Sequence, residues 1–345
     1  MRYPEFLSEG DLIGICAPSA GVGRKEESFD ASLKAIHKEG WRTRETASVR
    51  LNDMRGGDAP ARGKELNELF RSPDVKMVMA ASGGDFLDEM LPYTDWDTLS
   101  ANPKWLMGYS DPTGLLYPYT TLYDVASLYG FNAGSFDMIT YFRDERDETY
   151  YDPDSFSPEY LQNAFRFLAG EMLEQHSFPA FMKGDTWQTD QVAFNAPSAY
   201  QASAKRIQVS GRCIGGCIDV LKDMIGTVYD GTKAFKSRYA GDGLIWYFDN
   251  FSLSAESLYR TFLQMRYAGW IDPETTKAVL MGRTLIESSD TGMTYEEGFR
   301  RAFPDIPVIW EADVGHTVPH FFMVNGAMLD LGYENGKCRL KFRLE

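Results

Sequence analysis

Residues 11–18, Asp-Leu-Ile-Gly-Ile-Cys-Ala-Pro, form a short and mostly apolar run that opens a Pro-Ser-Ala-Gly turn. Such a run is typical of a strand buried in a parallel sheet. Apolar residues at helical spacing follow over 27–39 and again over 61–70. Two more buried-strand candidates lie at 75–80 and 105–108. This alternation of strands and helices predicts a doubly wound parallel sheet.

The pattern divides the chain into two α/β domains. We expect residues 1–170 to form a flavodoxin-like N-terminal domain and residues 206–345 to form a second one. Residues 171–205 lack a clear period and contain several prolines and polar residues, which indicates a connection between the domains. The candidate elements of the second domain are strands at 244–248, 278–281 and 308–310, and a helix at 254–267.

Composition excludes several classes of protein. The chain has 345 residues, an apolar fraction of 43%, and 35 basic against 50 acidic side chains. The net charge of −15 argues against nucleic-acid binding, which uses a basic face. No apolar run approaches the ~20 residues of a membrane span, and Glu5, Glu9 and Asp11 interrupt any signal-peptide pattern. With only four cysteines, we expect a cytoplasmic protein.

The histidines are the first candidates for acid–base chemistry, because histidine is the usual proton shuttle near neutral pH. There are four, at positions 37, 176, 316 and 320. His316 follows an apolar strand in a Gly-His turn, where α/β enzymes place site residues. The alternative is a structural histidine held by hydrogen bonds.

Ser110 is the second candidate. Residues 104–116 are predicted to form a strand, a sharp turn and the start of a helix. That geometry lifts a serine hydroxyl out of the sheet and points backbone N–H groups at a developing oxyanion. Gly83-Gly84 could supply another oxyanion donor, or could only end a strand. Ser110 could likewise only cap the helix.

The case for a metal or nucleotide cofactor is weak. His316 and His320 have helical ligand spacing, but Pro319 lies between them. Cys213 and Cys217 lack a second cysteine pair. No phosphate-binding glycine motif follows the first strand. We therefore expect no metal and no cofactor.

Several segments in order resemble the LD-carboxypeptidase family of serine peptidases, which includes muropeptide LD-carboxypeptidases and microcin C immunity proteins. The resemblance covers nearly the whole chain except the connection. The matching segments are Gly10–Ser19, Gly83-Gly84, Leu91-Pro92-Tyr93, Asn102-Pro103-Lys104, Gly108-Tyr109-Ser110-Asp111, Gly211–Gly216 and Pro307–Pro319.

The resemblance implies a catalytic site at the domain interface. Ser110 matches the family nucleophile and His316 its general base. The backbone N–H of Asp111 and the Gly83-Gly84 loop match the oxyanion hole. Asp249 falls where the family has the glutamate that orients the histidine.

Two positions depart from the family pattern. Asp249 is one methylene shorter than glutamate, and a gap of about 1 Å can cost on the order of 100-fold in rate. We therefore expect Asp249→Glu to preserve or raise activity. Cys217 replaces an asparagine that usually follows Gly-Gly. Trp187, in the connection, is a candidate for stacking on a nucleobase, or is an ordinary packed tryptophan.

These features predict a cytoplasmic serine-type carboxypeptidase that hydrolyses a small amide and needs no cofactor. The resemblance implies either removal of a terminal D-alanine from a muropeptide tetrapeptide in peptidoglycan recycling, or cleavage of an aminoacyl-nucleotide in microcin immunity. It also implies a homodimer. The alternatives are a non-catalytic ligand-binding protein on the same scaffold and, from the N-terminal pattern alone, a flavodoxin-like nucleotide binder.

Overall fold

The computed structural model describes residues 1–23, 25–136, 158–183 and 196–345. These residues divide into two compact units, the first reaching to Met172 and the second starting at Leu173. Trp187 lies outside the described residues, so its predicted role stays a prediction.

The first unit is built on a parallel sheet. Its strands lie in the order β2-β1-β3-β4-β5, with every neighbouring pair parallel. This is the flavodoxin-like strand order, and it confirms the predicted doubly wound domain. The elements are β1 Leu12–Cys16, α1 Glu26–Lys38, β2 Arg42–Glu45, α2 Ala59–Arg71, β3 Val75–Ala80, α3 Trp96–Ala101, β4 Trp105–Gly108, α4 Thr113–Thr121, β5 Ser127–Tyr129 and α5 Pro158–Leu168.

The core of this unit follows from the sequence patterns. Ile13 and Ile15 in β1 and the apolar residues of β3 are fully buried between helices. In α1, Phe29, Leu33 and Ile36 form the buried face, and the helix has acidic residues in its first turn and basic ones in its last. Burial on both faces explains why β1, β3 and β4 are continuous apolar runs, whereas the edge strand β2 is polar and partly exposed.

The second unit contains a mixed sheet. Its eight described strands lie in the order β6-β16-β15-β10-β11-β12-β13-β9, of which β10 to β13 are mutually parallel. The elements are β6 Glu174–His176, β7 Ala180–Phe181, β8 Ala196–Pro197, β9 Gln201–Ala202, β10 Arg206–Cys217, α6 Ile218–Met224, α7 Thr232–Arg238, β11 Leu244–Asp249, α8 Ala255–Tyr267, β12 Thr276–Gly282, α9 Tyr295–Ala302, β13 Val308–Ala312, β14 Met323–Asn325, β15 Met328–Glu334 and β16 Lys337–Arg343.

The described parts of the segment predicted as a connection, 171–205, contribute two strands to this second sheet, while β7 and β8 pair with each other in a separate two-stranded sheet. Strand β6 pairs with β16 at one edge, and β9 pairs with β13 at the other. Strands of two or three residues are too short to show an alternating pattern in the sequence. Their positions are set by the strands with which they pair. The antiparallel hairpin β15–β16 was also not predicted, although its alternating burial is visible in the sequence.

None of the helices in the described ranges has the length and hydrophobicity needed to span a membrane.

Candidate active site

Ser110 lies at the carboxyl edge of the first unit's sheet, in the turn between β4 and α4. Its backbone has φ +68°, a left-handed conformation that is rare for a residue with a side chain. Its N–H donates to the Tyr129 hydroxyl at 3.1 Å, and its carbonyl accepts the Thr113 N–H at 3.0 Å. The N-cap residue of α4 is Pro112, which makes no side-chain cap hydrogen bond, so Ser110 does not occupy the N-cap position of this helix.

The Gly83-Gly84 loop lies against Ser110. A Cβ placed on Gly83 would lie 3.2 Å from the Ser110 Cβ and 3.4 Å from its Oγ. A Cβ on Gly84 would lie 3.1 Å from the Ser19 Cβ. The absence of a side chain therefore lets the Gly83 backbone approach Ser110 closely and the Gly84 backbone approach Ser19.

Asp111 ties the same loop to the turn. Its carboxylate accepts the Leu87 N–H at 3.1 Å. Burial raises the pKa of Asp111 to about 6, a shift that hydrogen bonds from Ser19 and Leu87 oppose. Of the predicted oxyanion residues, Gly83 and Asp111 thus lie beside Ser110, and Gly84 lies against Ser19.

Arg62 is a site-supporting residue that the sequence analysis missed. Its guanidinium is fully buried and donates to the carbonyls of Pro18 at 2.6 Å and Phe86 at 3.1 Å. These hydrogen bonds therefore tie the loop after β1 to the loop after Gly84. The available signal was its position in α2, four and seven residues before the buried Leu66 and Leu69, on the apolar face.

His316 and Asp249 form a buried pair in the second unit. Asp249 ends β11 and is inaccessible to solvent, and its Oδ2 lies 2.8 Å from His316 Nδ1, which is 10% exposed. The backbone N–H of His316 also donates to Asp249 Oδ1 at 3.2 Å. Because a carboxylate only accepts, this contact favours the neutral tautomer in which Nδ1 carries the proton and Nε2 presents its lone pair.

The electrostatics of this pair favour the imidazolium. Burial alone would lower the pKa of His316, but the charge and hydrogen bond of Asp249, together with the charge of Asp219, raise it overall. A histidine of this kind can take a proton from a nucleophile and hold it.

Although Asp249 is shorter than the glutamate of the family, it leaves no gap to His316. Asp249 already reaches His316 at hydrogen-bond distance and is packed on all sides. The reason for expecting Asp249→Glu to preserve or raise activity is therefore removed, since an extra methylene would have to enter a filled site.

Asp313, the nearest other carboxylate along the chain, has different partners. It is fully buried, lies 2.6 Å from the Arg283 guanidinium, and accepts hydrogen bonds from the Tyr200 hydroxyl and the Phe178 N–H. This cluster fixes the backbone at the start of the turn that carries His316.

Of the remaining histidines and cysteines, Cys217 is the register partner of Asp249 in the neighbouring strand. His37 is exposed and bonded to Thr43, and His176 lies at the sheet edge beside Glu174. His320 is buried. All four cysteines are buried and outside disulfides. Within the described ranges, no group of three or more His, Cys, Asp or Glu is arranged to hold a metal ion.

Comparison with known sequences identifies both halves of the chain. The family model of the LD-carboxypeptidase N-terminal domain matches residues 13–130, and that of the C-terminal domain matches residues 210–331. A putative carboxypeptidase of Vibrio cholerae is 26% identical, over 99% of this chain and 98% of its own. The microcin self-immunity protein MccF of Escherichia coli is 25% identical, over 95% of this chain and 92% of its own.

Comparison with solved structures identifies the same fold. MccF in complex with aspartyl sulfamoyl adenosine has a TM-score of 0.78 at 19% identity, covering 99% of this chain and 98% of MccF. A muramoyltetrapeptide carboxypeptidase from Oxalobacter formigenes has a TM-score of 0.70 at 19% identity, covering 96% and 98%. Because the family model of the C-terminal domain also matches, the alternative of a flavodoxin-like nucleotide binder, which rested on the N-terminal pattern alone, is not supported. The chain belongs to the LD-carboxypeptidase family and is a hydrolase of the peptidase class.

Proposed function

We propose that the protein is a serine-type carboxypeptidase in which Ser110 is the nucleophile, His316 the general base and Asp249 the residue that orients His316. The observation that carries this proposal is the buried contact of 2.8 Å between His316 Nδ1 and Asp249 Oδ2. It favours the tautomer that a general base needs, in which Nε2 is able to accept a proton.

In the proposed reaction, Ser110 Oγ attacks the carbonyl carbon of the scissile amide while His316 Nε2 removes the hydroxyl proton. The oxyanion that forms is stabilised by the Asp111 N–H and the Gly83-Gly84 loop. His316 then protonates the leaving amine, and an acyl group remains on Ser110. Water, deprotonated by His316, hydrolyses this ester and regenerates the serine.

The substrates proposed are small molecules with a terminal amide-linked amino acid. Two sources fit the relatives: a muropeptide tetrapeptide losing its terminal D-alanine, and an aminoacyl-nucleotide conjugate. The first is supported by relatives named as carboxypeptidases, and the second by the MccF complex with aspartyl sulfamoyl adenosine.

The test is mass spectrometry of the purified protein incubated with both substrates, beside Ser110→Ala as control. The substrates are a disaccharide tetrapeptide ending in D-alanine and an aspartyl-adenylate analogue with an amide-linked aspartate. Release of D-alanine supports a role in peptidoglycan recycling, and release of aspartate supports microcin-type immunity. If the wild type matches the mutant on both, a non-catalytic binding role replaces the proposal.

Two finer expectations accompany this proposal. The four cysteines, all outside disulfides, support a reducing cytoplasmic location. The homodimer implied by the family resemblance stays a prediction, and light scattering of the purified protein tests it.

A further inference from the structure

We infer that Asp219 is a positioning residue for His316, which it holds in place through the turn that carries Phe251. The inference deepens the proposed function and rests on it only for the catalytic consequence. Asp219 lies at the start of α6, immediately after β10, and no catalytic role was predicted for it.

The first support is the set of hydrogen bonds that Asp219 accepts. Its Oδ2 accepts the Phe251 N–H at 3.0 Å, and its Oδ1 accepts the Ser252 N–H and the Ser252 hydroxyl, both at 3.3 Å. The Cys217 thiol donates to Oδ2 at 3.6 Å. One carboxylate therefore holds the turn that directly follows Asp249.

The second support is the contact between that turn and the histidine. The Phe251 ring lies against the His316 imidazole, with centroids 4.9 Å apart and planes inclined by 49°. His316 is thus held on one side by Asp249 and on another by a ring whose backbone Asp219 fixes. A ring held at two points loses less freedom when it must face a nucleophile.

The third support is the charge around His316. Asp249 acts on it from the end of β11 and Asp219 from α6. Cys217, at the end of β10, is buried, and burial raises the pKa of its thiol well above the ordinary value, so it contributes no charge near neutral pH. Both carboxylates raise the pKa of His316, because each favours the imidazolium.

These contacts separate two effects of Asp219. Asparagine at this position keeps an oxygen that can accept the Phe251 N–H but has no charge. Serine removes the charge, and its shorter side chain cannot extend to the Phe251 N–H. The two substitutions therefore distinguish positioning by charge from positioning by hydrogen bonds.

The test is an NMR titration of histidine ring signals in protein labelled at the imidazole carbons. The chain has four histidines, and His316→Gln assigns the signal of interest. Asp223→Asn is the matched control, since Asp223 is an exposed residue of the same helix that pairs with Lys222. The signals of the other three histidines report whether each variant is folded.

We expect Asp219→Asn to increase the acid dissociation constant of His316 by about twofold or more, and Asp223→Asn to leave it unchanged. Asp219→Ser is expected to add a change in the chemical shift of the His316 ring, because the Phe251 ring moves. Equal His316 titrations in the wild type and both Asp219 variants would overturn the inference.

The titration needs no substrate, so its result is independent of the proposed function. If wild type cleaves its substrate, the acid limb of kcat/KM is expected to move to lower pH in Asp219→Asn, together with the NMR midpoint. If the His316 midpoint shifts in Asp219→Asn but the wild type cleaves neither substrate, the result supports the role of Asp219 and contradicts the proposed peptidase activity. If the wild type is active but neither the His316 midpoint nor the acid limb of kcat/KM changes in Asp219→Asn, only the inference is contradicted.

Discussion

Gly315 and Asp249 are packed so closely that a side chain on the glycine has no room. A Cβ placed on Gly315 would lie 1.9 Å from Asp249 Oδ1, and the glycine has φ +95°. The residue before His316 must therefore be glycine for both steric and conformational reasons. The same contact keeps Asp249 directly beneath the histidine turn.

Substitution of this glycine tests whether the packing matters for activity. We expect Gly315→Ala to displace Asp249 or the His316 turn and to lower kcat/KM on the order of 100-fold or more. Gly292→Ala is the matched control, because Gly292 has φ +81° and no atom within 4 Å of the added Cβ. It measures the conformational cost alone. Equal activities of the two variants would show that the Gly315 contact is irrelevant.

The left-handed backbone of Ser110 predicts how the alanine and glycine variants at this position differ in stability. Ser110→Ala keeps the Cβ and the conformational cost, so its melting temperature is expected to stay near the wild-type value. Ser110→Gly removes that cost, which is about 1–2 kcal/mol for an ordinary residue, and is expected to be at least as stable as Ser110→Ala. Both variants are expected to lose activity. Thermal unfolding and initial rates check this, with Ser135→Gly, at ordinary φ, expected to be destabilised.

Asp249 is predicted to tolerate neither loss of charge nor added length. Asp249→Asn keeps the shape but removes the charge that raises the pKa of His316, and it favours the wrong tautomer. A loss on the order of 10⁴-fold in kcat is expected, as in other triads. Asp249→Glu is expected to lower activity and to cost about 1–3 kcal/mol of stability through overpacking. Full activity of Asp249→Glu would show that the site has room the structure does not indicate.

Asp111 makes stability depend on pH. Its pKa is about 6 in the folded protein against 3.8 as the ordinary value, because of burial. The folded state therefore binds the proton more tightly, and this contribution to stability is present below pH ~4 and is lost as pH rises through about 6. Between pH 5 and 7.5, we expect the wild type to lose about 1–2 kcal/mol more stability than Asp111→Asn.

Denaturant unfolding at both pH values measures this difference. Asp74→Asn, at an exposed position, is the control and is expected to follow the wild type. Parallel pH dependences of the wild type and Asp111→Asn would contradict the assignment of the raised pKa to Asp111.

Local sequence was sufficient for features that depend on neighbouring residues. The buried strands β1, β3 and β4 were predicted because burial on both faces makes them continuous apolar runs. The turns that carry Ser110 and His316 were recognised because each follows such a strand. Asp249 was found only through the family resemblance, since nothing in its own segment separates it from other buried acids.

Features fixed by distant residues were not predictable. Strands β6 and β9 are extended because they pair with β16 and β13 at the two edges of the second sheet. The burial of Arg62 depends on carbonyls from two separate loops, and the role of Asp219 depends on a turn some 30 residues further along the chain. Each of these is decided by tertiary contacts, which a local pattern does not contain.

The central claim is that Ser110 is an activated nucleophile, and covalent labelling tests it most directly. A serine-directed phosphonate reacts only with a serine whose proton a nearby base can remove. Intact-mass measurement followed by peptide mapping of the wild type, Ser110→Ala and His316→Ala decides the matter. We predict one label per chain, on Ser110, in the wild type and none in either variant. An unlabelled wild type, or equal labelling of wild type and His316→Ala, would contradict the account.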